Sequence, residues 1–387
     1  MLKLPLSMNV TRIRFGLIVF LLLCTQGCAS RQRESIPKQQ ASIDKTYNDT
    51  ARFLAGVKGR QDGPFGKLED RPSWQNYSVE IEEKWGRAQK DQFAPVDVFQ
   101  SQELDPLHSG SSYVFYPFSG PDVLYVTRFF PKSTTYVLAG LERVGDLRKP
   151  QEYSIKNLDR ELNGWSQALS SIFNRSFFVT SEMDSQFHGR VANGLLPMIL
   201  LLLARSGHDI ERVQYGHLDQ AGKFVPEDAT PGVRHMGVEI DFHGANETTS
   251  RKLFYFSTRL GPEFEQDRSF ANFLASRGTP DTLVKSASFL LHWEMCSNLR
   301  SFILEKSNVI LEDDTGVPYH YFQTAAWQVQ LFGKYSRPDR PFHREYQRDL
   351  AAAFDDPGRV KPLGFSLGYG AGRRTSRMIL ARRSKKS

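Results

Sequence analysis

Cysteine is scarce in this chain of 387 residues, which has three, at positions 24, 28 and 296. Long apolar runs are missing too. Residues 15–23 and 195–204 are the notable apolar stretches, and a membrane-spanning helix needs about 20 residues. No Walker loop, no His-Glu-x-x-His pattern and no paired Cys-x-x-Cys occurs. These absences argue against a P-loop NTPase, a zincin-type protease and a zinc ribbon.

The first 28 residues have the organisation of an export signal. Three basic residues and no acidic residue precede the apolar run, and the chain then turns small and polar up to Cys28. This ending resembles a bacterial lipobox, in which a small residue precedes a cysteine that is acylated and becomes the mature N-terminus. Gly27 and Cys28 match that pattern, whereas Thr25 and Gln26 depart from it. An ordinary cleaved signal and an uncleaved anchor are the alternatives.

The resemblance implies that residues 1–27 are removed as a signal peptide and that a three-chain lipid on Cys28 anchors the protein to a membrane. Ala29 stands where aspartate would favour retention at the inner membrane, so the resemblance favours the outer membrane in an organism that has two membranes. Residues 28–45 are polar and are predicted to be a flexible tether. Cys296 would then be the one cysteine left, so no intramolecular disulfide is expected. We predict a buried, inert thiol there.

The net charge of +7 is concentrated at the C-terminus. Residues 373–387 contain seven basic residues and no acidic residue, so the rest of the chain is close to neutral. We expect a basic C-terminal segment, which is either a solvated end or a contact with an anionic envelope surface such as lipid headgroups or wall polymer. Nucleic acid is not expected as a partner, because the chain is predicted to be exported and has no nucleic-acid motif. The sequence indicates no particular protein partner.

Helix and strand patterns are interspersed without a regular alternation. Period-2 and aromatic runs predict strands, and apolar spacings of three and four predict helices. Thr279-Pro280-Asp281 has the residue types of a helix start. The strands are predicted at 112–118, 134–140, 236–243 and 251–258, the last two as an antiparallel pair, and helices at 155–173 and 195–204. We therefore predict an α+β fold, with a mainly antiparallel sheet covered by helices, in one globular domain over residues 46–372.

Three short motifs resemble catalytic signatures but lack their context. Residues 364–368 match the G-x-S-x-G nucleophile elbow, but no Asp, Glu or His follows Ser366. Residues 314–316 are the Asp-Thr-Gly of aspartic proteases, but acidic residues precede them and no second copy occurs. His292 and Cys296 are one helical turn apart, with no orienting third group. We interpret the second motif as a polar turn, and none of the three as catalytic.

The strand predicted at 236–243 carries the most suggestive cluster. Its even-numbered side chains form an apolar face, and Glu239, Asp241 and His243 share the other face, about 6.5–7 Å apart. Two carboxylates and an imidazole suit a divalent metal ion or general acid–base work. The alternative is the ordinary solvated face of an antiparallel strand.

The second suggestive place is Ser119-Gly120-Pro121-Asp122, directly after a predicted strand. Ser119 and Asp122 fit the S-x-x-D capping pattern, which predicts a helix N-terminus at this point. A helix that starts at the end of a strand often faces a ligand, so Asp122 is a candidate site residue. Helix capping alone is the alternative.

The leading hypothesis is a cell-envelope lipoprotein whose globular domain acts by binding or support, because no catalytic signature is complete. The alternative is a metal- or carboxylate-dependent hydrolase that acts on an envelope polymer or a phosphorylated substrate. Its catalytic candidates are Glu239, Asp241, His243 and Asp122, and its cofactor would be a divalent metal. The sequences YPFSGPD and LEDDTGVPY resemble uncharacterised secreted bacterial proteins, and this resemblance implies no activity.

Overall fold

One mixed sheet of 11 strands runs through the described part of the chain. The computed structural model describes residues 44–107, 112–147, 152–176, 194–230, 233–245, 247–338, 340–373 and 375–384. The strands are β1 Tyr113–Pro117, β2 Thr135–Gly140, β3 His208–Leu218, β4 Phe224–Glu227, β5 Gly237–Gly244, β6 Arg251–Ser257, β7 Pro280–Val284, β8 Val309–Glu312, β9 Trp327–Gly333, β10 Val360–Lys361 and β11 Arg377–Arg383.

Five neighbouring strands at the centre of the sheet are parallel, in the order β6-β2-β1-β7-β8. Val114 of β1 pairs with Tyr136 on one side and with Asp281 on the other. Every residue of β1, β7 and β8 is buried, as expected for parallel strands that are covered on both faces. The chain adds β2 and β6 on one side of β1, and then β7 and β8 on the other. This is a doubly wound order.

Antiparallel strands extend this centre in both directions. β5, β3 and β4 lie beyond β6, and β11, β9 and β10 lie beyond β8. The predicted antiparallel pair of β5 and β6 is confirmed, with Ile240 opposite Leu253. The α+β prediction is also confirmed. Antiparallel pairs, however, make up five of the ten pairings in the described ranges rather than most of them. The strands of a parallel pair are joined by a crossover connection or lie in distant parts of the chain, so local patterns do not reveal their pairing.

Helices cover both faces of the sheet. They are α1 Lys45–Leu54, α2 Gly66–Glu69, α3 Pro72–Ala88, α4 Ala94–Phe99, α5 Val123–Phe129, α6 Leu158–Arg175, α7 Leu196–Arg205, α8 Glu263–Gln266, α9 Arg268–Ser276, α10 Ser297–Lys306 and α11 Arg348–Phe354. The π-helical turns Gln89–Phe93 and Gln100–Leu104 flank α4. Every helix in the described ranges falls short of the length or hydropathy needed to cross a membrane.

The sheet separates two hydrophobic cores. Alternation along β1 directs Val114 and Tyr116 into the first core and Tyr113 and Phe115 into the second. Helices α1–α7 contribute to the first core, and α8–α11 contribute to the second. The connection from β1 to β2 therefore packs on one face of the sheet, whereas the connections into and out of β7 pack on the opposite face.

The prediction of a helix that starts at Thr279 is wrong. Pro280 is the first residue of β7, a position at which a strand tolerates proline. Asp281 and Thr282 gave the segment a polar appearance, but both are buried, and the Thr282 hydroxyl lies 2.8 Å from that of Ser307. The helix of this region, α10, begins only at Ser297.

Part of the predicted basic C-terminal segment, residues 377–383, forms β11 between β8 and β9. Two of its basic side chains are bound inside the fold. Arg377 forms an ion pair with Asp314, and Arg383 donates hydrogen bonds to the carbonyls of Leu304 and Ser307, near the end of α10. Part of the basic charge that predicted an exposed C-terminal segment therefore lies within the fold.

Cys28, the signal peptide 1–27 and the tether up to residue 43 lie outside the described residues. The lipid anchor stays a prediction. Cys296 is buried and unpaired with another cysteine, as predicted.

Candidate functional site

The carboxyl ends of the five parallel strands form one edge of the sheet, where the connections from β1 and β7 diverge. α5 follows β1 into the first core, and α10 follows β7 into the second. The ends of β1 and β7 therefore mark the topological switch point. Open α/β sheets bind their ligands in the crevice outside such a point.

Asp122 lies just after β1 and is the N-cap of α5. Its Oδ1 accepts a hydrogen bond from the backbone N–H of Tyr125 at 3.1 Å, and its Oδ2 accepts one from the Tyr116 hydroxyl at 2.9 Å. The helix start predicted after β1 is confirmed. Ser119, which the S-x-x-D pattern placed at the cap, instead donates its hydroxyl to the carbonyl of Gly120 at 3.0 Å.

Lys285 follows β7 and reaches across the switch point to Asp122. Its Nζ lies 2.7 Å from Asp122 Oδ2, and the two side chains are 1% and 2% exposed. The same Nζ donates a hydrogen bond to the carbonyl of Ser176 and lies 4.6 Å from the centre of the Tyr125 ring. The ammonium therefore has a carboxylate, a carbonyl and an aromatic face as partners, which offset the cost of burying it.

Three consecutive acidic residues, Glu312, Asp313 and Asp314, follow at the end of β8, and all are buried. The turn predicted from LEDDTG is present, but its acidic side chains do not face solvent. Glu312 Oε2 accepts a hydrogen bond from the backbone N–H of Val317 at 2.8 Å, whereas Oε1 has no hydrogen-bond partner in the described part of the chain. Burial raises the pKa of Glu312 well above its ordinary value, so the protonated form is favoured.

The buried carboxylates of Asp313 and Asp314 have different kinds of partners. Asp313 accepts hydrogen bonds from the backbone N–H of Ser286 at 2.9 Å and from the N–H and hydroxyl of Thr315 at 3.0 and 2.5 Å. Asp314 forms a two-pronged ion pair with Arg377, with both N···O distances 2.7 Å. Burial nevertheless raises the pKa of Asp314 to about 6. Asp313 thus ties the loop after β7 to the loop after β8, and Asp314 ties β8 to β11.

Backbone strain is concentrated at the same edge. The described ranges contain five non-glycine residues with positive φ: Phe118, Ser176, Ser286, Ser288 and Phe289. Phe118 directly follows β1, three of the five are in the loop after β7, and the Ser176 carbonyl accepts the hydrogen bond from Lys285. Such conformations cost roughly 1–3 kcal/mol each and collect at functional sites. The clustering indicates that this edge is under a constraint other than stability.

The rim of the edge is formed by the ends of β1 and β2. A Cβ atom at Gly140, the last residue of β2, would lie 2.7 Å from Glu142 Oε2, 3.1 Å from the Tyr255 hydroxyl and 3.5 Å from the backbone nitrogen of Gly120. The missing side chain lets the carboxylate of Glu142 lie beside the loop that follows β1. Glu142 is half-buried.

A sequence motif identifies Asp122 as a candidate, but no motif identifies Lys285 or Glu142. Lys285 was placed inside a predicted helix, and Glu142 lies in no motif. The available signal was position, because each charged residue comes within five residues of the end of a buried strand. That signal becomes informative only when the strands are known to be parallel, because their carboxyl ends then meet at one edge.

Glu239 and Asp241 lie on the same face of β5, as predicted. Arg212 contacts both carboxylates, at 2.5 Å from Glu239 Oε1 and 2.8 Å from Asp241 Oδ2, and Lys252 pairs with both as well. The four side chains form a half-exposed network of ion pairs on the neighbouring strands β3, β5 and β6. Such cross-strand pairs stabilise a solvated face.

His243 faces a different partner. Its Nδ1 lies 2.7 Å from Glu211 Oε1, and Glu211 Oε2 accepts a hydrogen bond from the Ser250 hydroxyl. Glu211 sits at a bulge in the pairing of β3 with β5. Across the described residues, no three or more His, Cys, Asp or Glu side chains are grouped so that they could hold a metal ion.

No protein-family model, no curated protein and no solved structure matches this chain.

Replacing Lys285→Met tests the buried ion pair. We expect a loss of about 3–5 kcal/mol in the free energy of unfolding, because Asp122 is left as an unpaired buried charge. The matched control is Lys132→Met, which removes an exposed ion pair with Asp105 and should cost less than about 1 kcal/mol. Urea unfolding measures both. Equal losses would show that the Lys285 ion pair does not stabilise the edge.

Glu312→Gln tests the buried acid. An unfolded glutamate titrates near pH ~4.3. Since burial raises the folded pKa, the stability contributed by Glu312 is fully present below the unfolded pKa and is lost as the pH rises through the folded pKa. The free energy of unfolding of the parent chain, relative to the variant, should therefore fall as the pH rises above about 4.3. The exposed control Glu83→Gln should give no comparable trend. A flat difference for Glu312→Gln would contradict the raised pKa.

Proposed function

We propose that the globular part of this chain is a binding domain for a nucleoside-type ligand without phosphate groups, held at the carboxyl edge between β1, β2 and β7. The strained residues lie at the topological switch point, and this observation supports the location of the proposed site. This proposal develops the leading hypothesis from the sequence, that of a binding protein.

Glu142 supports the nucleoside part. In doubly wound sheets, an acidic residue about 20 positions after the β1 loop hydrogen-bonds the ribose hydroxyls. Glu142 has that spacing from Gly120, and it lies at the end of β2 beside the backbone of the β1 loop. A half-buried carboxylate there can accept two hydroxyl hydrogen bonds from a ribose. The analogy is one of strand order and position, so it indicates a ligand class and no reaction.

The charges of the edge argue against a phosphate. The carboxylate of Asp122 occupies the N-terminus of α5, where a dinucleotide fold would hold its pyrophosphate. Asp122 and Asp314 are each paired with a basic residue, whereas Asp313 at the neighbouring strand end is held by N–H and hydroxyl groups, so its charge adds to the field of the edge. A neutral or positively charged nucleoside, such as adenosine or the sulfonium S-adenosylmethionine, fits this field better than a nucleotide does.

The alternative hydrolase rests on Glu239, Asp241 and His243. Each of these side chains already has an oppositely charged or hydrogen-bonding partner on a neighbouring strand. A divalent metal there would have to displace Arg212 and Lys252, so the contacts favour the binding hypothesis.

Isothermal titration of the purified chain with adenosine, S-adenosylmethionine, ATP and NAD tests the ligand class. We expect at least one of the two phosphate-free compounds to bind at least tenfold more tightly than ATP or NAD. Glu142→Gln should weaken that binding about 10–100-fold, since it removes a charged acceptor, while Glu83→Gln leaves the affinity unchanged. Preferred binding of ATP, or full affinity in Glu142→Gln, would contradict the proposal.

We further propose that the chain is a lipoprotein of the cell envelope, favouring the outer membrane, anchored through Cys28. The support is the lipobox-like end of the signal. Metabolic labelling with a palmitate analogue in a bacterial host should mark the parent chain and the control Cys24→Ser, but not Cys28→Ser. Label retained in Cys28→Ser would refute the anchor.

A further inference from the structure

A cavity of about 500 Å³ opens between α4 and the edge of the sheet at β9 and β10. Phe99, which lines it, is buried with its ring 4.9 Å from that of Phe332 and 5.5 Å from that of Phe365. Val98 lines it too and is 53% exposed. Ligand sites have volumes of roughly 300–1,000 Å³ and mostly apolar walls with a few polar groups. This cavity, called the groove below, has that composition.

The helical segment on one side of the groove is irregular. Pro95, near the start of α4, has no N–H to donate to the preceding turn, and a π-helical turn lies immediately before α4. A second π-helical turn follows α4. π-helical turns are rare and frequently lie at functional sites. Here they bring Lys90 from the first turn and Glu103 from the second to the wall of the cavity.

The two charged residues that line the groove differ in their partners. Glu103 is neutralised by Lys361, whose Nζ lies 2.8 and 2.9 Å from its two carboxylate oxygens. Lys90 is exposed and makes no ion pair among the described residues. The uncompensated charge in the groove is therefore positive, and it adjoins an apolar surface.

We propose that this groove binds a single-chain amphiphile with an anionic head, namely a long-chain fatty carboxylate. Lys90 pairs with the carboxylate, and the alkyl chain lies against Val98, Phe99 and Phe332. The apolar walls select a chain rather than a small anion, and the lone ammonium selects the sign of the head group. None of these residues belongs to the site at the carboxyl edge of β1, so the two proposals can fail separately.

Titration of the purified chain with laurate below its critical micelle concentration tests the proposal. We expect saturable binding of one laurate, at least tenfold tighter than that of octanoate, because four more methylenes are buried. Laurate should also bind at least tenfold more tightly than dodecyltrimethylammonium, which has a chain of the same length and a cationic head.

Two variants with matched controls assign the site. Val98→Glu places a charge on the groove wall and should abolish laurate binding, whereas Val79→Glu, at a valine of similar exposure on α3, should leave it unchanged. Lys90→Gln should weaken laurate roughly two- to fivefold without changing the affinity for dodecanol, and the control Lys67→Gln should change neither. Thermal unfolding of each variant checks that it is folded.

Failure of laurate to bind the parent chain would overturn the proposal. So would undiminished binding in folded Val98→Glu, because the ligand would then occupy another place. Equal affinities for laurate and dodecyltrimethylammonium, or an unchanged laurate affinity in Lys90→Gln, would overturn the assignment of an anionic head group.

Discussion

A lysine and an aspartate that do not reach water join the two halves of the doubly wound sheet. Asp122 belongs to the half that begins with β1, and Lys285 follows β7, the first strand of the other half. A buried ion pair is stabilising only when its remaining hydrogen-bonding groups are also satisfied. Here the Tyr116 hydroxyl, the N–H of Tyr125 and the carbonyl of Ser176 satisfy them. The ends of β1, α5, α6 and β7 are consequently fixed relative to one another.

The acidic loop after β8 depends on that arrangement and on the last strand of the chain. Asp313 holds the loop that carries Lys285 through the N–H of Ser286, and Asp314 needs the guanidinium of Arg377 in β11. Arg377 lies far from Asp314 in sequence, so Asp314 acquires its partner only when β11 is in place in the sheet. The strained loop after β7 is retained because these contacts over-determine its conformation.

Much of the local structure followed from the sequence. Alternation predicted β5 and its pairing with β6, helical spacing predicted α6, and the S-x-x-D pattern located the helix start beside Asp122. The parallel centre did not follow, since Asp281 and Thr282 interrupt the apolar pattern of β7 at positions where the fold buries polar groups. Of the candidate residues, Asp122 lies at the switch point, whereas Glu239, Asp241 and His243 lie on the flank of the sheet.

Apolar residues recur every second position in a strand and every three or four positions in a helix. These spacings relate residues that are close in the chain, so they determine helices, hairpins and caps. The order of the strands depends on contacts between residues far apart in sequence, and the carboxyl edge exists only once that order is set. Glu142, Lys285 and Asp313 are unremarkable as separate residues. Their positions converge because β2, β7 and β8 are parallel to β1, which brings the ends of all four strands to the same edge.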